Sequence, residues 1–219
     1  MTDASTTSPR ERYRLQVREE IKAHAWQQIA TAGASALSLN AIAKLMGLSG
    51  PALYRYFGSR DEVITALIRD AYRSLADTLR AATASGTASG ADVTAPAHAL
   101  RRWALADPQR YFLLYGTPVP GYHAPDDVTL IAKEIMATLL DTLLALPSDG
   151  PVTPFVTHLA SHRQWAGDHP APPATLHRAL SVWTRLHGVL SLELAGHFAG
   201  MGFDPDLLFA AELDALTAP

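Results

Sequence analysis

Residues 38–63 read SLNAIAKLMGLSGPALYRYFGSRDEV. Ile42, Leu48 and Leu53 fall where two short helices, crossed at a turn, would share a small core. Ala43 supplies a small side chain where the two helices nearly touch, and Gly47 supplies a turn residue able to take positive φ. One helix is expected after Ser38, stopping at Gly47, and the next after Ser49, ending near Phe57. Crossed in this way, the second helix projects outward, which is the geometry for entering the major groove of DNA. The plainer reading is a helical hairpin within a bundle. The short helices, the turn glycine and the basic aromatic run Tyr54-Arg55-Tyr56 count against it.

On either side the chain reads as all-α. Runs of β-branched residues alternating with polar ones are absent, and Ala and Leu recur at three- and four-residue spacing. A first helix is expected from about Glu11 to Ala32, with Val17, Ile21, Ala25, Trp26 and Ile29 as its apolar stripe and Gly33 just past its end. Ser59 followed by Glu62 has capping-box spacing and should open a longer helix to about Ala82. Residues 83–97, TASGTASGADVTAPA, are too small and polar to form a core element and read as a linker. The expected organisation is a flexible tail at 1–12, a head at 13–82, a linker at 83–95 and a body at 96–219. Body helices are expected at about 96–106, 107–115, 126–146, 152–166, 173–199 and 204–216.

Charge divides along the same line. The 219 residues carry a net charge of −3, yet the first 80 hold eleven basic and eight acidic groups, and the remainder seven and thirteen. A positive segment attached to an acidic body points to nucleic acid facing the first part. The lack of cysteine excludes a disulfide framework, thiolate metal sites and a cysteine nucleophile, and fits a reducing, cytoplasmic setting. The longest apolar stretch, Ile135 to Leu146, is short and broken by Asp141, so no membrane span is expected; nor does the N-terminus read as a signal peptide. Enzyme motifs fail as well: Gly47-Leu48-Ser49-Gly50 is followed by Pro51 where a nucleophile elbow needs its second glycine, and there is no phosphate-binding loop or zincin signature. His158 and His162, four apart, lack a third ligand of clear spacing, so neither a metal nor any other cofactor is expected.

Over about Val17 to Leu67 the chain resembles the N-terminal domain of the TetR family of transcriptional regulators. The resemblance is carried by Ala25, Ile29, Gly33, Ser38, Ile42, Ala43, Gly47, Leu48, Ser49, Leu53, Tyr54, Tyr56, Phe57, Ser59 and Arg60. Trp183, His187 and Gly188 match the Trp-x-x-x-His-Gly signature of one branch of that family, and the stretch from Trp103 through Tyr111 to GTPVPGY at 116–122 looks like the same branch. The resemblance implies an all-helical homodimer with a DNA-reading head, a ligand-binding body and a four-helix dimer interface.

Roles in the head follow from side-chain chemistry. Tyr54 matches the family's phosphate-contacting tyrosine, and Tyr56, on another side of the helix, is a weaker candidate for the same backbone. Phe57 reads as core. Arg60 opens a helix whose free amides also favour an anion, so a phosphate there would be held twice, with Asp61 and Glu62 turned away. Gly50, Pro51 and Ala52 offer almost no hydrogen bonds, so readout from that end is apolar or through backbone, with thymine methyls the natural partners. Arg55 suits either a bidentate guanine contact or a phosphate. Asn40, Lys44 and Ser49 complete the DNA-facing set, with Lys44 readable equally as a solvated lysine. Arg10, Arg12 and Arg14 read either as backbone or minor-groove contacts or as part of a disordered tail.

In the body, Leu176, Leu180, Trp183, His187, Leu190 and Leu194 form a broad stripe on the helix expected at 173–199. About a third of a turn away Ser181, Gly188 and Ala195 recur every seven residues, joined by Leu192 and Ala199, and this small-residue seam, with Leu207 and Leu208 of the last helix, is expected to face a twofold partner. Trp103, Tyr111, Tyr115, Phe155, Trp183 and His187 are the bulky groups expected to line a pocket for an apolar or aromatic effector. Taken singly, each of these aromatics reads more simply as plain core, and His187 as a buried histidine satisfied by a neighbour. The expected function is a ligand-responsive regulator of transcription, a repressor released from an inverted-repeat operator. An architectural DNA-binding protein without effector, or a helical ligand-binding protein without DNA function, are the alternatives.

Overall fold

The computed structural model describes residues 8–84, 93–146 and 151–217. These residues form helices joined by turns, with no strand among them. In order they are α1 (Pro9–Ala32), α2 (Leu39–Leu45), α3 (Gly50–Leu53), α4 (Arg60–Ala84), α5 (Thr94–Ala106), α6 (Pro108–Tyr115), α7 (Asp126–Leu144), α8 (Pro154–Leu159), α9 (Pro173–Leu194) and α10 (Pro205–Thr217). By packing the chain divides into two compact units. One is Met1–Asp70 with Leu113–Pro125, and the other is Ala71–Phe112 with Asp126–Pro219.

The first unit is built around one stripe of α1. Val17, Ile21, Ala25 and Ile29, four residues apart, are buried, while Trp26 is only half-buried at the edge. Against them lie Leu37, Leu39, Ile42, Ala43, Leu53, Phe57, Val63, Ile64 and Leu67, all buried. In the same unit the Thr65 hydroxyl on α4 donates to the Tyr122 hydroxyl at 3.2 Å.

α1 starts earlier than the sequence pattern suggests. Ser8 Oγ accepts from the Glu11 amide, the Glu11 carboxylate accepts from the Ser8 amide, and Pro9 occupies the first turn. This capping box makes Pro9–Arg12 helix rather than flexible tail. Residues 1–7 lie outside the described set.

In the second unit the buried core gathers Leu75, Leu100, Trp103, Tyr111, Ile135, Leu140, Leu176, Leu186, Leu190, Phe209 and Leu213. The Trp103 indole donates to Ser74 Oγ at 3.1 Å. Arg101 of α5 pairs with Glu193 of α9 at 2.7 Å and Asp206 of α10 at 2.9 Å, pinning three helices at one point. The Arg101 and Glu193 side chains are only 13% and 14% exposed. At such burial, removing one partner costs more than the pair contributes.

Three further expectations change. The division by packing falls within α4, ahead of the expected linker at 83–95: α4 runs to Ala84, α5 begins at Thr94, and residues 85–92 lie outside the described set. The helix expected at 152–166 is two pieces, α8 and a 3-10 turn at Gln164–Ala166 closed by Gly167 at φ 58°. The helix expected to reach residue 199 stops at Leu194. There Gly196, at φ 77°, and His197 return their amides to Glu193 and Leu192 at 2.9 Å each, closing a Schellman motif. Ala195 is therefore the cap, and Ala199 lies beyond α9.

Candidate DNA-reading motif and effector cleft

The turn between α2 and α3 is closed by backbone hydrogen bonds. Past the α2 cap at Met46, the Gly47 amide donates to the Lys44 carbonyl at 3.3 Å and the Leu48 amide to the Ala43 carbonyl at 2.8 Å. Gly47 sits at φ 66°, the left-handed conformation this motif requires. Ser38 Oγ accepts from the Ala41 amide and Ser49 Oγ from the Ala52 amide, each at 3.3 Å, so both helices begin on a hydroxyl cap. The recognition segment is helical over Gly50–Leu53 and continues as turns, with the Tyr56 and Phe57 amides donating to the Leu53 carbonyl. Leu53 and Phe57 are fully buried, as core residues.

What remains outside is the expected DNA-facing set. Asn40, Lys44, Ser49, Pro51, Tyr54 and Arg55 are exposed, while Gly50, Ala52 and Tyr56 are half-buried. A Cβ on Gly50 would stand 3.5 Å from Asn40 Oδ1, so the start of α3 lies beside Asn40. Arg60 departs from the expectation. Its guanidinium donates to the Ala34 carbonyl at 2.7 Å and lies 3.7 Å from Asp61, so it ties the start of α4 to the segment after α1. The Ser59 cap forms, with Ser59 Oγ accepting from the Glu62 amide, but the Glu62 carboxylate reaches the Gly58 amide at 2.7 Å rather than that of Ser59.

Sequence reading missed Arg18. Its guanidinium lies 3.8 Å over the Phe57 ring, donates to the Tyr56 carbonyl and pairs with Glu62 at 3.4 Å. Arg14, one turn earlier, approaches the Arg55 carbonyl at 3.5 Å. The signal available was their four-residue spacing on one face of α1.

In the second unit a partly open apolar cleft holds a free volume of about 40 Å³. Leu79 of α4, Ala97 and Leu100 of α5, Ile135 of α7, and Trp183 and Leu186 of α9 form most of its wall. The hydroxyl of Thr138, also at the wall, donates to the Glu134 carbonyl of its own helix.

Of the six expected pocket residues, the cleft wall includes Trp183 alone. Trp103 is buried in the core. Tyr115 is grouped by packing with the first unit. Phe155 is exposed, edge-on to His177. Tyr111 and His187 form a polar cluster behind the wall: the Tyr111 hydroxyl is 2.9 Å from His187 Nδ1, 3.0 Å from Ser191 Oγ and 3.3 Å from the His187 carbonyl. Burial pushes His187 down to about 4 and raises Tyr111, so both are neutral near pH 7. The contact of His187 Nδ1 with the Tyr111 hydroxyl accords with the plainer reading, a buried histidine held by a neighbour. His158 and His162 stack at 3.8 Å, and no group of three or more metal-ligating side chains gathers among the described residues.

On α9 the buried stripe is Leu176, Ala179, Val182, Leu186, Val189 and Leu190, displaced from the expected one: Leu180, Trp183, His187 and Leu194 sit at its border. Gly188, Leu192 and Ala195 are exposed, as is Leu207 of α10, while Ser181 and Leu208 are half-buried. A Cβ on Gly188 would meet nothing within 4 Å. No helix among the described residues is long and apolar enough to cross a membrane.

Residues 21–67 match the family model for bacterial regulatory proteins of the tetR family, and residues 93–216 match a tetracyclin repressor-like C-terminal domain. The chain is 37% identical over 221 aligned residues, 94% of each protein, to the HTH-type transcriptional regulator Mb1846 of Mycobacterium bovis. Its fold matches the crystal structure of the regulatory protein SCO4313 with a TM-score of 0.88 at 69% identity, covering 97% of this chain and 100% of that one. The regulator PfmR from Thermus thermophilus shares the fold alone, with a TM-score of 0.56 at 15% identity over 90% of this chain and 96% of that one. With a capped helix-turn-helix inside the first matched segment and a helical body inside the second, the chain belongs to the tetR family of bacterial regulatory proteins and is a DNA-binding transcriptional regulator rather than an enzyme.

Proposed function

We propose that this regulator is a repressor that binds an inverted-repeat operator as a homodimer and is released by a small apolar or aromatic effector. The observation that carries the reading is the pairing of an exposed motif with an apolar cleft in the other unit: Lys44, Tyr54 and Arg55 face solvent, and the cleft wall holds no charged side chain. Asn40, Ser49, Gly50, Pro51, Ala52 and Tyr56 complete the DNA-facing surface; Arg60 acts by positioning α4. The seam of Ser181, Gly188, Leu192 and Ala195, with Leu207 and Leu208, is the face offered to the partner. Trp183, His187 and Gly188 then serve three purposes along one signature, as cleft wall, support behind it and seam, which supports reading the chain as one of the Trp-x-x-x-His-Gly branch.

Selection from random DNA tests this. The expected result is a two-fold symmetric site with half-sites about one helical turn, or a multiple of it, apart. The logarithm of the affinity should fall linearly with the logarithm of salt concentration, and a neutral lipophile such as N-phenyl-1-naphthylamine should lower the affinity. Recovery of no common sequence, or of a single unrepeated half-site, would sink the reading.

A further inference from the structure

α3 is a single turn of α-helix, Gly50–Leu53, and so short a helix cannot hold its own C-terminal end by its internal hydrogen bonds. Tyr54 and Arg55, both exposed, lie just past that end. Where their side chains point therefore depends on what fixes the chain that follows.

Two arginines of α1 meet this stretch. Arg14 and Arg18 are four residues apart, on one face of a helix that the Ser8 capping box makes continuous from Pro9. Arg14 makes one long contact, 3.5 Å to the Arg55 carbonyl. Arg18 makes several. Its guanidinium lies 3.8 Å over the Phe57 ring, donates to the Tyr56 carbonyl and meets Glu62 Oε1 at 3.4 Å, and its side chain is only 27% exposed. The other oxygen of the same carboxylate accepts from the Gly58 amide at 2.7 Å. Tyr56, Phe57 and Gly58 are thus each tied, directly or through Glu62, to one side chain from another helix. Only a planar group can lie flat on a ring while its edge forks to a carbonyl and a carboxylate, which is why an arginine suits this place and a lysine does not.

We propose that Arg18 is a positioning residue for sequence recognition: it fixes the chain at residues 56–58 and so aims Tyr54 and Arg55, without itself touching DNA. Its contribution is to the choice among sequences rather than to the general attraction for DNA. This rests on the reading of Tyr54 and Arg55 as DNA contacts given above.

The test uses the full-length protein and two fluorescein-labelled duplexes of equal length, one carrying the site selected from random DNA and one with that site scrambled. Both are titrated over a range of salt, below the melting temperature of every variant. Arg18→Ala should lose roughly tenfold or more of the preference for the selected site, while binding to the scrambled duplex stays within about twofold of wild type and the salt slope is unchanged. Arg18→Lys keeps the charge and should lose the preference to a similar degree; it is the decisive variant if Arg18→Ala fails to fold. Wild-type preference in either folded variant overturns the proposal, because a merely structural role lowers the melting temperature and leaves the preference intact. Equal weakening on both duplexes, with a salt slope smaller by about one, makes Arg18 a phosphate ligand and overturns it as well. A wild-type protein that binds the two duplexes alike is a separate result: it removes the sequence-reading role of Tyr54 and Arg55, and the role of Arg18 with it.

Discussion

Burial holds the His187 imidazole at about 4, against 6.5 for a solvated histidine. The unfolded chain therefore takes up a proton between those values while the folded chain does not. This contribution to stability is complete above pH 6.5 and is lost progressively as pH falls towards 4, the loss amounting to roughly 2 kcal/mol at pH 5. Melting temperature should drop between pH 7 and pH 5 in the wild type and drop less in His187→Gln; equal drops would place the acid sensitivity elsewhere. Glu134, held low by its hydrogen bond with Arg73, and Glu11, held low by Ser8, act in a separate window below the ordinary carboxylate value of 4.5. In the head, Arg55→Ala should relax discrimination at one base pair per half-site by roughly 1 to 3 kcal/mol, whereas Tyr54→Phe should weaken all sequences alike. Arg60→Ala should lower thermal stability and leave the salt slope nearly unchanged, because its guanidinium is engaged with the Ala34 carbonyl. A salt slope reduced by about one would return Arg60 to the phosphates. Residues whose partners are close in sequence, such as Ser38, Ser49 and Gly47, were legible from spacing alone. Arg60 was not, because its acceptor is a backbone carbonyl 26 residues away that no side-chain pattern announces.

Among elements, α9 shows most plainly what periodicity can and cannot settle. Its start at Pro173 could be read directly, while its packed face, through Ala179, Val182, Leu186 and Val189, runs beside the stripe of larger residues that the pattern suggests. Its end could not be read: AGHFAG continues the apolar pattern past Leu194, and the outcome turned on Gly196 taking positive φ. The six bulky residues expected to share a pocket illustrate a different limit. Size and aromaticity identify side chains that must be buried, but several helices can bury them, and here the cleft wall is mostly aliphatic. Gly188 supports a direct test of the seam. It is exposed and a Cβ there has open space, so Gly188→Leu should leave the protomer folded, and indeed favour its helix. Sedimentation should then show the dimer weakened or lost, together with weaker operator binding. An unchanged dimer would move the interface off this face.

For the whole molecule, the charge contrast between the first 80 residues and the rest is legible in the amino-acid sequence itself, and so is the all-helical class. The boundary between units is not, because a small, polar stretch looks like a hinge whether or not packing divides the chain there. Division inside α4, with Leu113–Pro125 returning to the first unit, makes the head discontinuous in sequence. That has a bearing on descent. Recombination exchanges contiguous pieces, and a crossover just after Ala84 would carry α1 to α4 into a new protein while leaving Tyr122, the partner of Thr65, behind. A transplanted head would then have to pack against a foreign 113–125 segment, without the hydroxyl that Thr65 bonds here.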